Sequence, residues 1–391
     1  MNKSLEELAV ITYGKDYKLN PSGESVPIYG TGGLMGYTSL KLNSGPAVLT
    51  GRKGSINKPF YLEGNFWHVD TIFCIKAKPE VNTKWLFYNL KNTDLNKLNE
   101  ATGVPSVNTQ SLYKLMFKYF NPSKQRKIAQ ILTTCDTVIE KTEASIAKYQ
   151  AIKQGLLHDL FTRGINIETG KLRPKYEDAP DLYEESKLGW IPREWDVNRL
   201  EELCSEKPKY GINAAAVEFN NNLPLYLRIT DIDENGNFSK IGRKSVDNPF
   251  SDQYYLKKGD IVFARTGATV GKTYLYKEND GALIYAGFLI KVSPNNNILN
   301  SNFLKFLTET DYYLNWVVLM SQRSGQPGIN GAEYGSLMVP TPSIKEQEII
   351  SQRLLVSLNK IQTEQSALSK YQLLKTGLMQ DLLSGKVEVK I

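Results

Sequence analysis

A sixteen-residue segment at positions 145–160, SIAKYQAIKQGLLHDL, returns at positions 367–382 as ALSKYQLLKTGLMQDL. Lys148, Tyr149, Gln150, Lys153, Gly155, Leu156, Asp159 and Leu160 reappear 222 positions on as Lys370, Tyr371, Gln372, Lys375, Gly377, Leu378, Asp381 and Leu382. The same register pairs Gln125, Ile128, Gln130, Leu132 and Ile139 with Gln347, Ile350, Gln352, Leu354 and Ile361. An internal repeat of this extent means a chain built from two related halves, and every other reading has to fit it.

Both copies have the pattern of one long helix. Leu132, Ile139, Ile146, Tyr149 and Leu156 recur at helical spacing in the first, as do Leu354, Ile361, Leu368, Tyr371 and Leu378 in the second. Asn121-Pro122-Ser123 and Thr341-Pro342-Ser343 precede them, with Ser343 and Glu346 spaced as a capping box. Gly164 and Gly385 follow, where a left-handed C-terminal cap is wanted. About 40 residues at ~1.5 Å rise make a helix of roughly 60 Å. Two related apolar stripes in one chain can bury each other along a coiled-coil seam, and related halves then place those helices antiparallel.

Before each helix lies a looser block of strand and turn patterns. In the first, positions 5–11 suit a short helix or strand, and a Gly-rich stretch covers 27–37. Two strands flank a basic turn at Arg52-Lys53-Gly54-Ser55, and positions 67–76 and 83–92 read as a strand and a short helix. A polar connector over 165–189 ends in LGWIPREW, which restarts the pattern. Leu200-Glu201-Glu202-Leu203 then echoes Leu5-Glu6-Glu7-Leu8, Arg265-Thr266-Gly267 answers Arg52-Lys53-Gly54, and GQPGIN at 325–330 answers GVPSVN at 103–108. The expected class is α+β, two pseudo-repeated domains joined by two long antiparallel coiled-coil helices.

The 391 residues allow two independent cores, and a net charge of +7 permits a polyanionic partner without demanding one. No apolar run has membrane-spanning length, and Cys74, Cys135 and Cys204 stand apart without metal-ligand spacing. These features fit a reducing cytoplasm.

Signals for catalysis fail on their spacing. GATVGKT at 267–273 lacks the glycine a phosphate-binding loop needs, since Thr266 stands there. Gly30-Thr31-Gly32-Gly33 has no acidic residue on a preceding strand and no matching Pro-Pro-aromatic motif, which argues against a methyl-donor site. Pro180-Asp181 and Glu185 with Lys187 leave no room for a nuclease hairpin. His68 and His158 are the only histidines and suit structural roles. What the blocks do offer is cationic and hydroxyl side chains in Gly-relaxed loops interleaved with Tyr. In the first block these are Tyr29, Thr31, Tyr37, Arg52, Lys53, Ser55 and Lys58. In the second they are Lys207, Lys209, Tyr210, Arg228, Thr230, Arg265, Thr266, Lys272, Gln322, Arg323 and Ser324. Such sets neutralise phosphates and pair with base edges.

The run of Pro-Ser, Gln-x-x-Ile, the long helix closing in KYQAIKQGLLHDLF and the LGWIPREW restart resembles the specificity subunit of type I restriction–modification systems. The resemblance spans nearly the whole chain. It implies target recognition domains at 1–121 and 190–341, spacer helices at 122–164 and 342–385, a linker at 165–189 and a tail at 386–391. Each recognition domain would read one half of a bipartite asymmetric site in double-stranded DNA. The helices would set the gap and dock two copies of the modification subunit, with the restriction subunit joining afterwards. S-adenosylmethionine, ATP and Mg would belong to those partners, with no cofactor, metal or catalytic residue on this chain. One departure is that Glu346 has no acidic counterpart in the first copy. A DNA-binding or scaffolding protein outside restriction–modification is the alternative. A pure scaffold would not need basic Gly-loops on both domains.

Overall fold

A computed structural model describes residues 1–18, 20–323 and 325–390. Its frame is two 41-residue helices, Pro122–Thr162 and Ile344–Ser384, whose starts and ends are each 222 positions apart. The Asn121 side chain caps the first by accepting from the Lys124 N–H at 2.9 Å, and Pro122 takes the first helical position, where no N–H is needed. Ser343 accepts from the Glu346 N–H at 3.3 Å in the second. The Glu346 carboxylate, expected to complete that box, is turned instead to Arg173, Ile165 and Trp195. Gly164 and Gly385 are left-handed, with φ of 62° and 72°.

The chain divides into two compact units, Met1–Ile146 with Thr363–Ile391, and Ala147–Gln362. Each unit therefore holds the start of one long helix and the end of the other. In the first, Lys124 pairs with Glu388 at 2.5 Å and Asp136 pairs with Lys375, so the two segments run antiparallel. In the second, Tyr149 lies under the Lys360 ammonium at 5.5 Å and the Ile165 N–H donates to Glu346 at 2.6 Å, which gives the same sense.

The units share one plan. An antiparallel four-stranded sheet runs Ala9–Tyr13, Ile72–Ala77, Ala47–Gly51, Phe60–Leu62 in the first. Its counterpart runs Cys204–Tyr210, Leu289–Pro294, Ile261–Ala264, Thr273–Leu275 in the same order. Ala47–Gly51 and Ile261–Ala264 are buried at every residue, as an apolar run covered on both faces must be. A second four-stranded sheet in each unit contains one parallel pair, but its strand order differs between the units. Positions 5–11 open as a helix, Leu5–Leu8, and continue as the first sheet's edge strand. The stretch from Trp67 to Lys76, expected as one strand, is two. Asn65–His68 and Ile72–Ala77 belong to different sheets and part at a turn closed by the Ile72 N–H donating to the Val69 carbonyl at 3.0 Å. Asp70, exposed, and Thr71, half-buried, interrupt the buried run at that turn, a short polar break that the reading of one strand passed over.

Matched residues of the two helices hold each sheet domain in the same way. Gln125 is fully buried; its Oε1 accepts from the Asn82 N–H at 2.8 Å and its Nε2 donates to the Phe120 carbonyl at 2.7 Å. Gln347 repeats this with Asn300 and Pro342, both at 2.8 Å. Asn82 and Asn300 cap the helices Thr83–Lys91 and Ser301–Leu307. Lys375 reaches over the Tyr88 ring of the first of these and Lys153 over Phe306 of the second, both at 5.9 Å. Ile128 and Leu132 complete the first core with Met379 and Leu382, and Ile350 and Leu354 complete the second with Leu157 and Leu160. Of the other residues expected on the seam, Ile146 and Ile361 are buried, while Ile139, Tyr149, Leu156, Leu368 and Leu378 are half-buried. Tyr371 is 39 % exposed. The polar stretch 165–189 carries buried anchors in Ile165, Arg173 and Tyr183, and enters a hairpin, Tyr183–Ser186 with Gly189–Pro192.

Candidate nucleic-acid interface

Each unit pins its basic turn to the loop before a short helix with the same backbone contacts. In the first, the Val107 N–H donates to the Arg52 carbonyl at 3.0 Å and the Gly54 N–H to the Pro105 carbonyl at 2.8 Å. In the second, Ile329 donates to Arg265 at 2.9 Å and Gly267 to Pro327 at 3.0 Å. Bridges Lys53–Ser106 and Thr266–Gly328 lie between these contacts. Gly54 and Gly267 have φ of 85° and 73°, a conformation that strains any other residue there. Asn108 and Asn330 end the pinned loops by capping the short helices Thr109–Tyr113 and Gly331–Gly335.

The arginines of the two turns are also placed alike. The Arg52 guanidinium lies 5.5 Å over the Tyr13 ring and that of Arg265 lies 4.9 Å over Tyr210. The tyrosine hydroxyls reach the start of the short helix, Tyr13 to Thr109 Oγ1 at 3.4 Å and Tyr210 accepting from the Gly331 N–H at 2.9 Å. Tyr13 and Tyr210 are 53 % and 44 % exposed, so each ring offers Arg a wet face to lie on. Among the described residues neither arginine has a carboxylate within 4.0 Å. Among the described residues the Arg52 guanidinium donates once, to the Asp70 carbonyl at 3.4 Å.

The remaining candidates divide by what already holds them. Lys53, Ser55 and Lys58 are exposed around the first turn, and Thr31 Oγ1 lies 3.4 Å from where a Cβ on Gly54 would be. Tyr37 is 50 % exposed on the strand Gly33–Thr38, whereas Tyr29 packs its ring against Phe60 at 5.6 Å. In the second unit Thr230 and Gln322 are exposed, and Ser324 lies outside the described residues. Arg228 grips the buried Asp231 in a bidentate pair at 2.9 and 2.7 Å. Lys272 pairs with Glu234 at 2.6 Å, Arg323 with Glu333 at 2.5 Å, and Lys209 with Glu206. Burial raises the Glu206 carboxyl, but its bonds to Lys209 and Lys291 outweigh this and hold it at about 2. GATVGKT forms the turn of a hairpin between antiparallel strands, without the following helix a phosphate-binding loop needs.

Tyr13 was not among the expected residues. Its signal was the echo of LEEL: Tyr13 follows Leu8 as Tyr210 follows Leu203, with two additional residues in the second copy. Two register shifts in the strand Cys204–Tyr210 absorb them.

His68 is fully buried without a partner for either ring nitrogen among the described residues. Burial first, then Lys76, lowers it from 6.5 to about 4, so the ring is neutral near pH 7. Between those values the unfolded chain binds the extra proton, and stability falls as pH drops. Relative to a His68→Phe variant, the parent is expected to lose ~3 kcal/mol between pH 6.5 and 4. Parallel pH series of denaturant unfolding that superimpose would refute this.

Two lobes on one plan, each closed by matched segments of the same two helices, define a duplicated α+β fold with a shared helical frame. The type I restriction modification DNA specificity domain matches residues 1–149 and 192–370. The chain belongs to that family and is the DNA-specificity subunit of a type I restriction–modification system. It is 26 % identical over 318 residues to the type I restriction enzyme MjaVIII specificity subunit of Methanocaldococcus jannaschii, covering 78 % of this chain and 70 % of that one. Its fold is that of the type I S subunit from M. genitalium, at a TM-score of 0.67 and 16 % identity over 100 % of this chain and 96 % of that one. A chain from a structure of type I restriction–modification complex assembly and conformational transition matches at 0.55 and 14 %, over 99 % and 98 %. Among the described residues no helix is long and apolar enough to cross a membrane, and no cluster of His, Cys, Asp and Glu could hold a metal ion.

Proposed function

We propose that each unit reads one half of a bipartite asymmetric site in duplex DNA, through the loops around Arg52 and around Arg265. The observation that carries this reading is one framework built twice around loops of different sequence. The two helices act as the ruler between the half-sites. Methyl donor, ATP and Mg belong to the modification and restriction subunits that assemble on the chain.

The repeat itself supports docking of two copies of the modification subunit. Gln125, Ile128, Leu132, Lys153 and Leu160, with their matches, are used inside the units. Lys148, Gln150, Lys370 and Gln372 are matched yet exposed. Lys148, Ile152 and Gly155 fall on one helix face at i, i+4 and i+7, as do Lys370, Leu374 and Gly377. Ile152 and Leu374 are 43 % and 56 % exposed. A Cβ on Gly155 or Gly377 would meet nothing within 4 Å, although glycine inside a helix costs about 0.5–1 kcal/mol against alanine. Among the described residues nothing asks for glycine there, whereas a partner backbone approaching closely would.

Gly155→Leu and Gly377→Leu should leave the fold at least as stable, since both raise helix propensity. Each single variant is expected to carry one modification subunit fewer by native mass spectrometry, and the double variant none. Full assembly of the double variant would remove the docking face from this reading.

A further inference from the structure

The pairs Arg52–Tyr13 and Arg265–Tyr210 are the feature the two lobes share most closely at their candidate surfaces. The same backbone contacts, a left-handed glycine at the same place, an Arg lying over a Tyr ring and a tyrosine hydroxyl bonded at the first residue of a short helix recur in both, through the Thr109 side chain in one and the Gly331 N–H in the other. Around them the lobes diverge: Ser55-Ile56-Asn57-Lys58 follows one turn and Ala268-Thr269-Val270-Gly271 the other, and the second sheets differ in strand order. Contacts that specify bases must change when the bases change, whereas contacts to the phosphodiester backbone need not. An element held constant in two readers of different half-sites therefore suits the part of DNA that does not vary.

Its chemistry fits the same conclusion. Arg228, Arg323, Arg163 and Arg173 are all neutralised by carboxylates, at 2.5 to 3.0 Å. Arg52 and Arg265 lack such a partner among the described residues and rest on aromatic rings. The rings orient the guanidinium without cancelling its charge, leaving its donor edge for an anion.

We propose that Arg52 and Arg265, each oriented by its tyrosine, are sequence-independent phosphate anchors that set the register of each lobe on duplex DNA. This rests on the reading of the lobes as half-site readers, and it assigns the two arginines to phosphate rather than to bases. The test uses the chain assembled with its modification subunits. Binding is measured across a salt series to a duplex carrying the methylated site and to one with both half-sites scrambled, and methylation is mapped in cells. Arg52→Ala and Arg265→Ala should each weaken both duplexes by the same factor, roughly tenfold at low salt, and lower the slope of log affinity against log salt by about 1. The methylated sequence should not change. Arg52→Lys and Arg265→Lys keep the charge and should restore the slope, which a purely structural role would not produce. Altered bases at one half-site, or unchanged affinity and slope in the Ala variants, would overturn the proposal while half-site reading stands. A parent complex that binds neither duplex would overturn both.

Discussion

Inserting four helix-favouring residues after Ile146 and four more after Gln362 is expected to lengthen the gap in the methylated site by one or two base pairs. These are the points at which each long helix passes from one unit to the other. Contacts within a unit, such as Lys375 with Asp136 or Glu346 with Arg173, are formed by residues on one side of the insertions. Four residues add ~6 Å of helix, close to two base pairs at ~3.4 Å each. They turn the helix by roughly 400°, about 40° past a whole revolution, so the apolar stripe stays close to its original face. Two residues would rotate it by about 200°, and a two-residue pair of insertions should abolish assembly. Methylation mapping is the readout. Unchanged half-site bases with a longer gap support the helices as the ruler, and the old gap in a fully assembled complex would dismiss them.

Replacing Glu346 with Ala should destabilise the second unit by ~3–5 kcal/mol, because it leaves a buried arginine without its main counter-charge. Arg173 and Glu346 are 5 % and 3 % exposed, and their carboxylate–guanidinium contacts measure 2.6 and 3.1 Å. The same carboxylate accepts from the Ile165 N–H at 2.6 Å and the Trp195 indole at 3.2 Å, while Glu194 takes the outer side of Arg173 at 2.5 Å. Burial opposes the charge on Arg173, but bonds to Glu346 and Glu194 raise its pKa above the usual guanidinium range. Gly164 belongs to this junction. A Cβ there would lie 2.3 Å from Glu346 Oε1, in addition to the strain of its positive φ, so Gly164→Ala should also destabilise. Lys124, the counterpart of Glu346, provides the contrast, since it pairs with the exposed Glu388. Such exposed pairs contribute little, so Lys124→Ala should leave melting unchanged. A melting temperature of Glu346→Ala equal to that of the parent would show that the junction does not hold the unit together.

The repeat was fully legible in the sequence because helical periodicity and chain offset are one-dimensional. The two long helices, the left-handed glycines that follow them and the pairing of Arg52-Lys53-Gly54 with Arg265-Thr266-Gly267 follow from spacing. Motif counting likewise placed GATVGKT in a strand–turn–strand setting. Spacing could not distinguish a cation already gripped by a carboxylate from one left open. Arg228 and Arg265 look alike in the sequence, yet one closes on Asp231 three residues away and the other lies on a tyrosine 55 positions upstream. The tertiary structure also revealed Tyr13, hidden by a two-residue difference that register shifts absorb in the other lobe, and the partner of Glu346, which local spacing assigned to a capping box. Periodicity and offset are set along the chain, whereas charge pairing depends on which distant segments the fold brings within about 4 Å, where Coulomb attraction and hydrogen bonding become decisive.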